Sequence, residues 1–190
     1  MKIHMPSKQF LINSLSILIA IAVLLTIVPA VYAEGDTPLS AIPGLGRPNN
    51  NTLIRMHKQE GTWYSEQEVL LKQADTLAAN FQTLVDAQSK EGKNVTILQD
   101  GLAAFRSELA ICKEIHLAAG ATIFSLVGFK ANGDVRDRLA AGQSLIDGRA
   151  AIKDAHVRLA IAVTELRRSF AHWRQVRNPF DRTPRPTAYP

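Results

Sequence analysis

The chain has 190 residues, of which 46% are hydrophobic and only 6% aromatic, and it carries a formal net charge of +5. This length suits one domain, and a composition rich in Ala and Leu favours a helical bundle over a β-sandwich. The single cysteine excludes a disulfide within the chain.

The first 33 residues have the pattern of an export signal. Two lysines precede an apolar run from Leu15 to Val28, which Pro29 interrupts. Small residues follow, ending at Ala33, as cleavage by a signal peptidase requires. We therefore expect residues 1–33 to be a signal peptide, with an uncleaved membrane anchor as the alternative. In both cases the remaining chain lies outside the cytoplasm, secreted or in the cell envelope, for example in the periplasm.

Two segments lack the periodicity of regular secondary structure. Residues 34–51 contain three Pro, three Gly and three Asn and predict a flexible linker. Residues 177–190 are rich in Pro and Arg and predict a disordered tail, because proline cannot continue a helix.

The first proline-free segment, about residues 52–91, predicts a helix. Its apolar positions recur in steps of three and four from Leu53 to Leu84. Glu60 and Gln67 interrupt this stripe, and Gly61 predicts a break in the helix near its own position.

The second and third segments, about residues 95–127 and 138–176, carry the clearest helical patterns. The stripe of the second alternates between three and four without interruption across four heptads, from Val95 to Leu126. A turn at residues 91–94 precedes it, and a turn at residues 128–137 follows it.

Three long helices joined by two short turns predict an all-α fold, an elongated antiparallel three-helix bundle that resembles a coiled coil. If the second and third helices fold back on each other, the numbers of facing residues should sum to roughly 264–268. So thin a core also predicts possible self-association.

Cys112, His116 and His156 are the candidate site residues. All three occupy stripe positions, and the antiparallel register brings them into one stretch of the core. Thiolate and imidazole together suit zinc, copper or haem iron, so a metal- or haem-binding bundle is one interpretation. The alternatives are simple packing, in which Cys112 is a buried and slowly reacting thiol, and a redox-active or cross-linking thiol. No catalytic motif is found, and no cofactor is expected.

The C-terminal part of the sequence is strongly basic. One acid, Asp181, accompanies six arginines, which are Arg167, Arg168, Arg174, Arg177, Arg182 and Arg185. Trp173 and Phe180 lie between them, and basic residues interleaved with aromatic ones suit an anionic surface. Alternatively, the arginines favour the helix dipole and Trp173 belongs to the core. Export makes nucleic acid the least expected ligand.

In size, export signal and helicity the chain resembles small exported all-helical proteins of bacteria, a resemblance that implies no residue roles. Together these patterns predict an exported, non-enzymatic bundle that binds an unknown protein partner or an anionic envelope surface. A membrane association by the N-terminal segment is expected only if that segment is uncleaved. The alternative function is metal or haem binding through Cys112, His116 and His156.

Overall fold

The computed structural model describes residues 48–177, which form three α-helices packed against one another. Helix α1 spans Asn50–Lys90, α2 spans Thr96–Phe124 and α3 spans Arg138–Arg177. Within residues 48–177 there is no β-strand, and an isolated bridge joins Phe129 to Val135. The all-helical fold predicted from the stripes is therefore confirmed.

Both boundaries of each predicted helix lie within three residues of the boundaries in the structure. The predicted signal peptide, residues 1–33, and the tail beyond residue 177 lie outside the described residues. Of the predicted linker, residues 34–51, the structure describes only the last four, and two of these already belong to α1. Among residues 48–177, no helix combines the length and the hydropathy needed to cross a membrane.

Helix α1 begins cleanly and runs without a break. The side chain of Asn49 accepts a hydrogen bond from the Thr52 amide at 2.9 Å, which caps the helix. The break predicted near Gly61 is wrong. A glycine inside a helix costs about 1 kcal/mol, and the packing of the whole 41-residue helix against α2 and α3 more than offsets that cost. The helix ends before Gly92, whose positive φ of 73° suits the predicted turn.

Helices α2 and α3 run antiparallel in the predicted register. The indole nitrogen of Trp173 donates to the Asn94 carbonyl at 2.8 Å, and the Ser144 hydroxyl donates to the Thr122 carbonyl at 3.3 Å. The numbers of these pairs sum to 267 and 266, within the range predicted from the turn.

Helix α1 is antiparallel to α2 and parallel to α3. Asp75 pairs with Lys113 at 2.7 Å, and further towards the start of α1 the side chain of Gln67 reaches the Ile152 carbonyl. The start of α1 therefore lies beside the start of α3, where residues 49–51 and Arg138 line one shallow depression. We call this end of the bundle the entry end, and the opposite end, where α3 finishes, the exit end.

The predicted stripes form the core. On α2 the stripe residues from Val95 to Ile123 are all buried, and on α3 the same holds from Leu159 to Trp173. A large apolar cluster occupies the exit half, and a smaller one, made of Leu53, Phe129, Ala141 and Leu145, closes the entry end.

The connection between α2 and α3 is a packed loop. Helix α2 ends at Phe124, three residues earlier than predicted, because the backbone turns at Leu126 with a φ of 54°. The Gly128 carbonyl then accepts hydrogen bonds from the amides of Arg136 and Asp137 at 2.8 and 3.0 Å. The Asp137 side chain accepts from two amides in the first turn of α3 and caps this helix, as the sequence predicts.

Candidate functional site

Cys112 lies in the large apolar cluster with none of its surface exposed. Burial, with a smaller contribution from the Glu108 carboxylate, raises the pKa of the Cys112 thiol to about 11. The thiol is therefore protonated near neutral pH, and the protonated form is a poor nucleophile and a poor metal ligand.

His116, one turn along α2, is also buried, and two side chains of α1 hold it. Its Nδ1 lies 2.9 Å from Oε1 of Gln67, and its ring stacks on that of Tyr64 with centroids 3.9 Å apart. The Gln67 amide nitrogen donates to the Ile152 carbonyl at 2.8 Å, so its oxygen must face the histidine and accept the Nδ1 proton. Burial lowers the pKa of His116, which favours the neutral ring.

His156 of α3 is half-buried and lines an open groove on the outer face of this helix, beside Val157 and Ile161. Burial lowers the pKa of this histidine too. Within residues 48–177, no three or more His, Cys, Asp or Glu side chains are grouped closely enough to hold a metal ion. Metal or haem binding by Cys112, His116 and His156 remains a prediction to which the geometry adds no support.

Polar side chains from all three helices meet in the entry half of the core. We call them the buried polar layer, which consists of Glu60, Tyr64, Gln67, His116 and Arg149. Glu60 is fully buried, and its Oε1 accepts hydrogen bonds from Nε and Nη2 of Arg149 at 2.8 and 2.7 Å. The Arg149 guanidinium also lies over the Trp63 ring, 4.9 Å from its centroid. The layer thus ties α1 to both other helices.

The environment of Glu60 opposes its charge. Burial raises the pKa of this carboxyl group, while the Arg149 guanidinium beside it acts in the lowering direction and only partly compensates. Its second oxygen, Oε2, is buried and has no hydrogen-bond partner among the described residues. A buried pair of this kind adds little net stability but penalises any helix register that separates its members.

The polar layer is not predicted by the stripes alone. In the sequence, Glu60 and Gln67 stand out only as interruptions of a stripe, and Arg149 is one stripe member among others. The available signal was that polar residues occupy stripe positions in all three helices. Recognising that these residues form one layer also requires the axial position of α1 relative to the other two helices. The short turn at residues 91–94 constrains this position.

The tight contact between α1 and α2 at this layer depends on Gly120. A β-carbon at this position would lie 2.7 Å from two ring carbons and from the hydroxyl oxygen of Tyr64. The absence of a side chain lets the tyrosine lie flat across α2 and cover His116.

The basic side chains of the exit end are partly placed. Arg167, Arg168 and Arg174 are exposed on the last turns of α3, with Arg168 paired to Glu165 and Arg174 near the Phe170 ring. Trp173 is buried and donates a hydrogen bond to the Asn94 carbonyl in the turn before α2, so it belongs to the core and not to an aromatic surface. The side chain of Arg177, together with Arg182 and Arg185, lies outside the described residues.

Comparison with known proteins identified no related protein. The chain has no significant match to a protein-family model, to a curated protein or to a solved structure. Its function must therefore be inferred from its own residues and their geometry.

Proposed function

We propose that the chain is a non-enzymatic, extracytoplasmic protein that acts by binding an anionic envelope surface through the arginines of its exit end. The observation that carries this proposal is the exposure of Arg167, Arg168 and Arg174 on a rigidly packed helix.

Charge partition along the sequence supports the proposal. Residues 34–166 are slightly acidic, whereas residues 167–190 hold six arginines and one aspartate. An anionic surface therefore attracts residues 167–190 more strongly than residues 34–166 taken together, which orients the protein on approach. Each basic residue close to an anionic membrane contributes about 1 kcal/mol, so a few engaged arginines give a measurable but salt-sensitive attachment.

The test replaces Arg167, Arg168 and Arg174, which are exposed, with Gln and compares sedimentation with isolated cell envelopes at low and high salt. None of these positions contributes to the described core, so folding is preserved. We expect the variant to lose most of the salt-sensitive binding. Unchanged binding would show that the exit end is not the binding surface.

A charge-matched control separates position from net charge. Replacing Lys58, Lys72 and Arg106 with Gln also removes three positive charges. These three side chains are exposed on α1 and α2. This control should bind like the parent. Equal losses in both variants would mean that only net charge matters, and the assignment to the exit end would fail.

A further inference from the structure

Large apolar side chains are exposed at the entry end of the bundle. Leu139, in the first turn of α3, is 80% exposed, and Val127, in the loop before it, is 51% exposed. The Gly128 carbonyl bonds to the Arg136 and Asp137 amides, which brings the two sides of the loop together and places both apolar residues at the same end of the molecule. Val127 and Leu139 flank residues 128–137 of the loop, and exposed apolar side chains grouped at one end of a molecule are typical of an interaction surface.

Basic side chains surround these two residues. Lys130, Arg136 and Arg138 are exposed in the loop and at the start of α3, and Arg55 is exposed on the early turns of α1. The loop carries two acids. Asp137 is engaged in capping α3, and Asp134 accepts a hydrogen bond from Asn132. The entry end therefore combines protruding apolar groups with an excess of positive charge.

The loop presents these groups on a firm base. Phe129 is buried beneath it in the apolar cluster of the entry end, and the His57 ring packs on Phe129 with centroids 4.6 Å apart. The His57 Nε2 also lies 3.1 Å from the carbonyl of Ile123, in the last turn of α2. Val127 and Leu139 therefore remain exposed although an apolar cluster with which they could have packed lies directly below.

The sequence preceding α1 also reaches this end. Helix α1 starts at Asn50, beside Arg138. The most apolar run of the sequence, Leu15 to Val28, is thus joined to the entry end by about 20 residues of chain. Wherever this run is retained and meets a bilayer, the entry end is the part of the bundle tethered nearest to the lipid.

From these observations we propose that the entry end docks on a lipid bilayer with anionic headgroups. Val127 and Leu139 enter the boundary between headgroups and acyl chains, while Lys130, Arg136 and Arg138 contact the lipid phosphates. Apolar insertion together with cationic contacts is the combination by which peripheral proteins hold an anionic bilayer, because either contribution alone is weak. This surface is separate from the arginines of the exit end and goes beyond the function proposed for them.

Site-specific labelling of the full chain tests the docking. Cysteine is introduced by Leu139→Cys, Val157→Cys or Val176→Cys, three exposed apolar positions at the entry end, the middle and the exit end of α3. Cys112 does not compete for the label, because it is fully buried. An environment-sensitive dye on each variant is then mixed with vesicles of phosphatidylglycerol and phosphatidylcholine that contain a lipid-borne quencher.

We expect quenching of the dye at position 139 and none at position 157. Quenching at 176 without quenching at 139 would show that the exit end meets the lipid, which overturns the docking of the entry end and supports binding through the exit-end arginines. Quenching at neither end of the bundle overturns the docking.

A second set of variants separates docking from mere tethering by the N-terminal segment. Lys130, Arg136 and Arg138 are replaced with Gln in the chain labelled at position 139, and Val127→Gln is tested separately. The charge variant should weaken contact with anionic vesicles by about tenfold or more, and should make no difference with purely phosphatidylcholine vesicles. Unaltered quenching in both variants would mean that the tether alone holds position 139 near the lipid, and the entry end would not be a docking surface.

Discussion

At the scale of single residues, the pair of Glu60 and Arg149 is a contact whose formation requires a carboxylate to be removed from water. A carboxyl group with none of its surface exposed is paired with an arginine whose side chain is 28% exposed. Moving such a charge out of water is unfavourable by several kcal/mol, and the attraction to one guanidinium roughly offsets this desolvation free energy. What the pair adds is selectivity, since sliding α1 by one turn would separate the buried Glu60 carboxylate from the Arg149 guanidinium.

Removing one partner should therefore cost far more than removing both. Arg149→Met leaves Glu60 buried without its cation and should destabilise the protein by the lower part of about 3–5 kcal/mol, because Arg149 is partly solvated. The double variant Glu60→Leu with Arg149→Met should recover most of this loss. Urea denaturation of the parent, both single variants and the double variant measures the coupling. Strictly additive losses would show that the two side chains are not energetically linked.

At the scale of elements, the apolar stripes predicted the helices and their burial well, and single residues explain the exceptions. The α2 stripe placed Cys112 and His116 in the core correctly, because an uninterrupted alternation of three and four allows one buried face only. The break at Gly61 was wrong, since intrinsic propensity is small beside the tertiary contacts of a 41-residue helix. The early end of α2 depends on the backbone at Leu126, an apolar residue that matches the stripe and gives no turn signal.

The α2 stripe predicted that His116 is buried, but it did not predict that the side chain of Gln67 is its hydrogen-bond partner. Periodicity identifies the inward face of a helix without saying which residue of a neighbouring helix it meets. The register of α2 against α3 followed from the length of their loop, whereas the contact of Gln67 with His116 depends on the rotation of α1.

Two glycines of the loop between α2 and α3 should differ strongly in how well they tolerate an added side chain. Gly128 has a φ of 82°, and a β-carbon there would lie 2.1 Å from the Ala141 nitrogen. Gly128→Ala combines a left-handed backbone with this backbone clash and should cost more than about 2 kcal/mol. The matched control is Gly133→Ala, where φ is 84° but no atom lies within 4 Å, and which should cost only about 1 kcal/mol. Thermal unfolding followed by circular dichroism ranks the two, and an equal shift in Tm would contradict the packed loop.

At the scale of the whole molecule, the buried His116 and the half-buried His156 connect folding to pH. Burial lowers the pKa of both His116 and His156 below the usual value of 6.5. The unfolded chain therefore takes up protons that the native protein rejects once the pH falls below 6.5. Their contribution to stability is fully present above this pH and is lost as the pH falls towards the lowered native values. Glu60 acts in the opposite sense, because its raised native pKa favours folding under acid conditions.

We therefore expect the free energy of unfolding to fall between pH 7.5 and 5.5, by up to about 1.4 kcal/mol per pH unit for each histidine. The variant His116→Gln with His156→Gln should be less stable at pH 7.5 but should show a flatter dependence on pH. Urea denaturation at several pH values gives this slope directly. A slope as steep as that of the parent would assign the pH dependence to other groups.

The odd number of helices has a mechanical consequence. An even number would return the chain to the side from which it came, whereas the three helices of residues 48–177 carry it from one end to the other. The 40 residues of α3 rise about 1.5 Å each, so the chain leaves the bundle roughly 60 Å from the level at which this helix begins. The last residue of α3 is thereby held at a fixed distance from the first residue of α1.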